Sequence, residues 1–133
     1  MIIELDMNSS TPIYVQLRNQ IVMGIGRGEL KLGESLQTVR QLAQDIGVNT
    51  MTVNKAYQIL KTEGYIKIDR RHGAIVSDNI DMDIVFREKL ENELELLLAE
   101  AAINGMDKND FLSMCNEIYS KISLIYENHR MSH

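Results

Sequence analysis

Ile13, Leu17, Ile21 and Ile25 recur at every fourth position near the start of the chain, with Val22 on the shoulder, a spacing that predicts a helix with one apolar face. Thr11 is placed to cap it and Pro12 to take its first position, where a missing N–H costs nothing. Gly26-Arg27-Gly28 ends it. Before it, residues 2–7 alternate apolar and acidic, the pattern of a short strand, and Asn8-Ser9-Ser10-Thr11 is turn chemistry. After it, residues 30–36, interrupted by Gly33, predict a loop with little regular structure. Thr38 followed by Gln41 then forms a capping box, and Val39, Leu42, Ala43 and Ile46 make a short amphipathic helix that Gly47 closes. Asn49 caps a third helix over residues 50–63, with Val53, Ala56, Tyr57 and Leu60 inward and Gly64 as its stop.

Two helices joined by Gly47-Val48-Asn49 form a helix-turn-helix pattern. Ile66 and Ile68 then alternate with polar residues, Arg70-Arg71-His72-Gly73 makes a turn, and Ala74-Ile75-Val76 returns, which predicts a hairpin wing. A long helix follows from about Met82 to Asn104, with Phe86, Leu90, Leu94, Leu97 and Ala101 on one face. Gly105 breaks it and Asp107 can cap the next. Phe111, Cys115, Ile118, Ile122 and Ile125 step by four and three, the rhythm of a helix-packing seam, widened by Leu112, Tyr119 and Tyr126. A polar tail is expected to fray from about Asn128. The fold class is therefore α+β, mainly α, in two parts: a winged helix-turn-helix over residues 1–77 and a two-helix dimerisation hairpin over 78–133.

Charge sharpens that division. The net charge is −5 over 133 residues. Residues 1–77 hold nine Lys and Arg against seven Asp and Glu, a balance of +2, whereas residues 78–133 hold five against twelve, a balance of −7. A mildly basic module joined to an acidic one suits a chain whose first half alone meets phosphate. The single cysteine, Cys115, allows no internal disulfide and no cysteine metal cage; on an apolar stripe it reads as a structural thiol. No apolar run is long enough for a membrane span and the start of the chain has no secretory pattern, so the cytoplasm is the expected compartment. There is no Gly-rich phosphate loop, no metal-ligand spacing and no nucleophile beside a base. Neither an enzyme nor a bound cofactor or metal is expected, and no residue pattern supports a small-molecule effector.

The third helix carries the chemistry. With its stripe turned inward, Met51, Asn54, Lys55, Gln58 and Thr62 face outward and Thr52 lies to one side. Amides can pair with adenine, hydroxyls with donors or acceptors, and an apolar group with a thymine methyl. The free N–H groups at this helix entry also favour a phosphate. Arg40, on the preceding helix, is placed to fork onto the DNA backbone, with a surface ion pair to Asp45 or Glu34 as its ordinary alternative. Arg70, Arg71 and His72 could reach an adjacent minor groove or its phosphates, with Gly73 supplying a positive φ.

The residues from Pro12-Ile13-Tyr14 through Gly28-Glu29-Leu30-Lys31, Leu36-Gln37-Thr38-Val39-Arg40-Gln41-Leu42-Ala43, Gly47-Val48-Asn49, Val53-Asn54-Lys55-Ala56-Tyr57, Leu60, Glu63-Gly64-Tyr65 and Arg71-His72-Gly73 closely resemble the GntR family of bacterial regulators, over about residues 11–77. Where that family usually has Leu-Pro-Ser, this chain has Leu36-Gln37-Thr38. Where many members carry an arginine at the entry of the recognition helix, it has Asn49-Thr50-Met51-Thr52, so no operator sequence carries over. The resemblance implies DNA contacts at Arg40, Asn49, Thr50, Thr52, Asn54, His72 and Gly73, to which the basic wing tip adds Arg71. The short helical remainder is similar to the YtrA subfamily, whose members are dimeric repressors, often of genes for ABC transporters. It implies double-stranded operator DNA and a second copy of the chain as partners, and the wide apolar face of Phe111, Cys115, Ile118, Ile122 and Ile125 is the one expected to meet that copy. The alternative from another class is a small protein-interaction module that uses the winged domain and the acidic helices.

Overall fold

The computed structural model describes residues 2–71, 73–78 and 83–131, with side chains as far as Ile122. His72, Met82 and the side chain of Ile125 lie outside the described residues. The elements run α1 (Ile13–Gly26), α2 (Val39–Ile46), α3 (Thr50–Thr62), β1 (Ile66–Asp69), β2 (Gly73–Val76), α4 (Ile84–Ile103) and α5 (Lys108–Met131). They belong to a mainly helical α+β fold with a small antiparallel sheet, the winged helix-turn-helix that the periodicity predicts. The chain divides into two compact units, one containing residues 1–80 and 122–133, the other residues 81–121.

In the first unit, α1, α2 and α3 turn their stripes onto one another and onto the sheet. Leu17, Ile21, Val53, Leu60, Ile66 and Val76 are fully buried. Each such aliphatic side chain contributes about 1.5–3 kcal/mol by leaving water, so this cluster is what holds the unit together. The caps behave as their residue types dictate. Thr38 accepts a hydrogen bond from the Gln41 N–H at 3.1 Å, and Gly47, at φ 71°, closes α2 by donating its N–H to the Ala43 carbonyl. Asn49 accepts from the Met51 N–H at 2.7 Å and starts α3. The strands pair Ile66 with Val76, Lys67 with Ile75, Ile68 with Ala74 and Asp69 with Gly73.

Four local expectations change. Residues 2–7 are not a strand: no neighbouring strand pairs with them. The side-chain amides of α1 bond their backbone instead. Gln20 Oε1 accepts from the Glu4 N–H at 2.8 Å while its Nε2 donates to the Glu4 carbonyl, and Gln16 Oε1 accepts from the Asp6 N–H at 2.8 Å while its Nε2 donates to the Asp6 carbonyl at 2.9 Å. Two glutamines one helical turn apart thus match two alternate residues of an extended segment. Residues 33–36 are more ordered than a loop. The Gly33 N–H donates to Val76 O, the Val76 N–H to Glu34 O and the Leu36 N–H to Ala74 O, each at 2.8 Å, and Ser35 bridges Ile75. They line the free edge of β2, and a pairing made by backbone alone leaves no mark in side-chain pattern. At the entry to α1 the cap position is Pro12, with no side-chain cap bond; the Thr11 carbonyl accepts instead from Gln16 Nε2 at 2.8 Å. Finally α5 runs to Met131, past the expected fraying point at Asn128, because helical backbone bonds do not require apolar side chains.

The second unit is built from α4, the turn through Asn104 and Gly105, and the first turns of α5. Asp83 caps α4 by accepting from the Phe86 N–H at 2.8 Å, so the helix opens at Ile84. Asp107 accepts from the Asp110 N–H at 2.8 Å at the start of α5, as its position suggested. No residue of α4 is buried.

Candidate nucleic-acid interface

The first turn of α3 presents Thr50 and Met51 to solvent, with Asn54 exposed one turn on and Thr52 half-buried. Met51 is 77% exposed. An apolar side chain left so bare on a polar helix face is available for contact with a base methyl group. Asn49 has a double duty to reconcile. Its Oδ1 is committed to the Met51 N–H, so only its amide N–H groups remain to donate outward. The same bond removes the Met51 N–H from the free donors expected to favour a phosphate at this helix entry.

Arg40 lies in the first turn of α2 and is exposed. Among the described residues it makes no ion pair; Asp45 accepts from Gln37 Nε2 at 2.7 Å and Glu34 from the Lys31 N–H at 3.2 Å. The wing is joined to this helix entry by the Leu36–Ala74 bond, which brings the Gly73 end of β2 beside the segment that leads into α2. At the tip Arg70 and Arg71 are exposed, Asp69 Oδ1 accepts from the Arg71 N–H at 2.7 Å, and Gly73 has the positive φ expected of it, 70°. At the base of the wing Lys67 is held by Asp78 at 3.1 Å, and that ammonium keeps the Asp78 carboxyl below the usual carboxylate range. Lys67 is therefore a latch and not a free cation. Among the described residues no cluster of His, Cys, Asp and Glu could hold a metal ion.

What holds α3 against its neighbours was not read from the sequence. The Tyr57 hydroxyl donates to the Gln37 carbonyl at 2.7 Å, and burial pushes its phenol up to about 12. Gln37 stands where the resemblance leads one to expect proline, and its carbonyl supplies the acceptor that fastens α3 to the entry of α2. The signal was present: a tyrosine on an inward stripe needs a partner for its hydroxyl. On α1, Arg18 forks onto Glu63 with two bonds of 2.9 Å, and Lys55 sits 3.9 Å from the centre of the Tyr14 ring.

Among the expected dimerisation residues, Phe111, Cys115 and Ile122 are half-buried and Ile118 is 50% exposed. Cys115 is a free thiol.

A recognition helix fixed to two scaffold helices, with a paired wing beside it, defines a winged helix-turn-helix regulator that binds DNA. The chain belongs to the GntR family of bacterial regulatory proteins, whose family pattern matches residues 13–76. Within that family it is YtrA-like. It is 33% identical over 122 residues to the HTH-type transcriptional repressor YtrA of Bacillus subtilis (strain 168), a match covering 90% of this chain and 94% of that one. The solved structure of YtrA from Sulfolobus acidocaldarius, a GntR-family transcription factor, is 39% identical with a TM-score of 0.64, covering 74% of this chain and 99% of its own. The DNA-binding domain of AraR in complex with operator ORX1 is 25% identical with a TM-score of 0.51, covering 56% of this chain and 93% of its own. No described helix is long and apolar enough to cross a membrane.

Proposed function

We propose that this protein is a homodimeric transcription repressor in which residues 1–77 bind operator DNA and residues 78–133 join two copies. Helix α3 enters the major groove and reads base edges through Thr50, Thr52 and Asn54, with Asn49 donating at its entry. Arg40 clamps the backbone, and Arg71, His72 and Gly73 of the wing engage the flanking strand. The observation that carries the reading is the capped, polar and exposed first turn of α3, together with an exposed Arg40 that has no ion pair among the described residues. The likeness to a protein named as a repressor, and to a domain solved on its operator, supports repression through DNA. The regulated operon is of the transporter type, as the resemblance implies. The dimer rests on the two C-terminal helices, through Phe111, Cys115, Ile118, Ile122 and Ile125. It is supported by apolar positions that stay 40% or more exposed in a single copy: Phe86, Leu90, Leu94 and Leu97 of α4 and Ile118 of α5.

Selection of bound sequences from random duplex DNA supplies the operator. Binding of Thr52→Ala and Asn54→Ala to selected and scrambled duplexes then tests base readout. Each should cost about 1–3 kcal/mol on the selected site and relax preference at a particular base pair. Non-specific binding should hold, because neither residue is charged. A uniform loss on all sequences, or none, rejects readout by these residues.

A further inference from the structure

Lys55 lies in the second turn of α3, outside the buried stripe and exposed. Its ammonium sits 3.9 Å from the ring centre of Tyr14, in the first turn of α1. One turn further along α1, Arg18 forks onto Glu63, and its guanidinium lies 5.7 Å from the Tyr65 ring. These contacts seat α1 along one flank of α3. The other flank belongs to α2, because Tyr57 reaches Gln37, and residues two apart on a helix point to nearly opposite sides.

Arg18 and Lys67 are each neutralised by a carboxylate, whereas Lys55 has no ion pair among the described residues. An aromatic face attracts an ammonium through its quadrupole and leaves the charge intact. The N–H donors turned away from the ring stay available, since an ammonium has three. A long side chain already held in place also has less freedom to lose when it captures a ligand.

We propose that Lys55 grips a backbone phosphate on the α1 side of the groove and that Tyr14 is the positioning residue that holds its ammonium there. Arg40 serves the α2 side, so each wall of the groove is held by one cation. The inference rests on the DNA-binding reading above and adds to it a contact away from the base-reading end of α3. A helix lying in a major groove about 12 Å wide has a phosphate chain on either side, and one cation per wall fixes its depth and tilt.

The test measures binding to a random-sequence duplex across a range of salt concentrations, with the melting point of each variant recorded alongside. Lys55→Met keeps the stem and loses the charge. It should weaken binding to selected and random duplexes alike and make the salt dependence shallower by about one unit. Tyr14→Phe keeps the ring face and should bind like the wild type. Tyr14→Leu should bind several-fold more weakly, yet add no further loss in a Lys55→Met background. An unchanged salt slope in Lys55→Met overturns the phosphate contact. A drop in Tyr14→Phe, or a Tyr14→Leu loss that persists undiminished without Lys55, overturns the positioning role. Lys55→Met and Tyr14→Phe decide the matter even where Tyr14→Leu fails to fold. Failure of the DNA-binding reading looks different: the wild type itself would then show no salt-dependent duplex binding.

Discussion

Helices α3 and α4 are written in the same code and end in different surroundings. On α3 the stripe of Val53, Ala56, Tyr57 and Leu60 is buried, with α1 and α2 packed against the helix. On α4 the equally regular stripe of Phe86, Leu90, Leu94 and Leu97 stays between 40% and 57% exposed. Periodicity says that a face needs cover. It does not say whether the cover comes from the same chain. The winged unit answers from within itself, while α4 leaves the need outstanding, and the second copy proposed above is what would meet it.

The contrast breaks most readily at the two extremes. Leu60 is completely buried, so Leu60→Ala should destabilise the winged unit by about 2–5 kcal/mol, through lost burial plus the cavity left behind. Denaturant titration should show a loss that does not depend on protein concentration. Ile118→Asp combined with Ile122→Asp should abolish the dimer and leave that unit folded. Light scattering reporting the mass of one chain, with the winged unit's melting unchanged, is the expected result; a persistent folded dimer moves the interface elsewhere.

Smaller changes sharpen the comparison from inside the winged unit. Removing the α2 cap with Thr38→Ala should cost about 0.5–2 kcal/mol, again at every protein concentration. Tyr57→Phe should cost about 0.5–1.5 kcal/mol by leaving the Gln37 carbonyl without its partner. Tyr57 also sets a pH window. Its folded pKa of about 12 stands above the ordinary 10.0, so the neutral phenol is the form that folding favours. The stability this gives is complete below pH 10 and is lost as the pH rises through about 12. Comparing alkaline unfolding of wild type and Tyr57→Phe isolates it, and identical curves over that window would show that Tyr57 carries no such coupling.

Helices, caps and wing were legible because each is specified by side chains: a stripe at helical spacing, Thr38 before Gln41, Asn49 before Thr50, Gly73 at a positive φ. Residues 33–36 were not, because they join the sheet through N–H and C=O groups that every residue carries. Residues 2–7 misled for the converse reason. They alternate as a strand does, but the partners of Glu4 and Asp6 are the side-chain amides of Gln20 and Gln16 and not a neighbouring strand. In the candidate interface, the exposure of Arg40 and of the polar face of α3 followed from residue type and helical geometry. The Lys55–Tyr14 pair joins residues far apart in sequence, and neither residue announces the other.

The glutamine pair has a consequence for how this chain can change. Glu4 and Asp6 are gripped by their main-chain atoms; the Glu4 side chain is exposed, whereas Asp6 Oδ1 also accepts from the Asn8 N–H at 3.0 Å. The identity at position 4 can therefore drift with little effect on where the segment lies, provided that it does not become proline, which has no N–H to give, while at position 6 the drift also removes the turn bond to Asn8. The address of the amino-terminal arm is stored at positions 16 and 20. A library randomised at 4 should keep the arm in place almost throughout, whereas one randomised at 16 and 20 should lose the arm in most of its members.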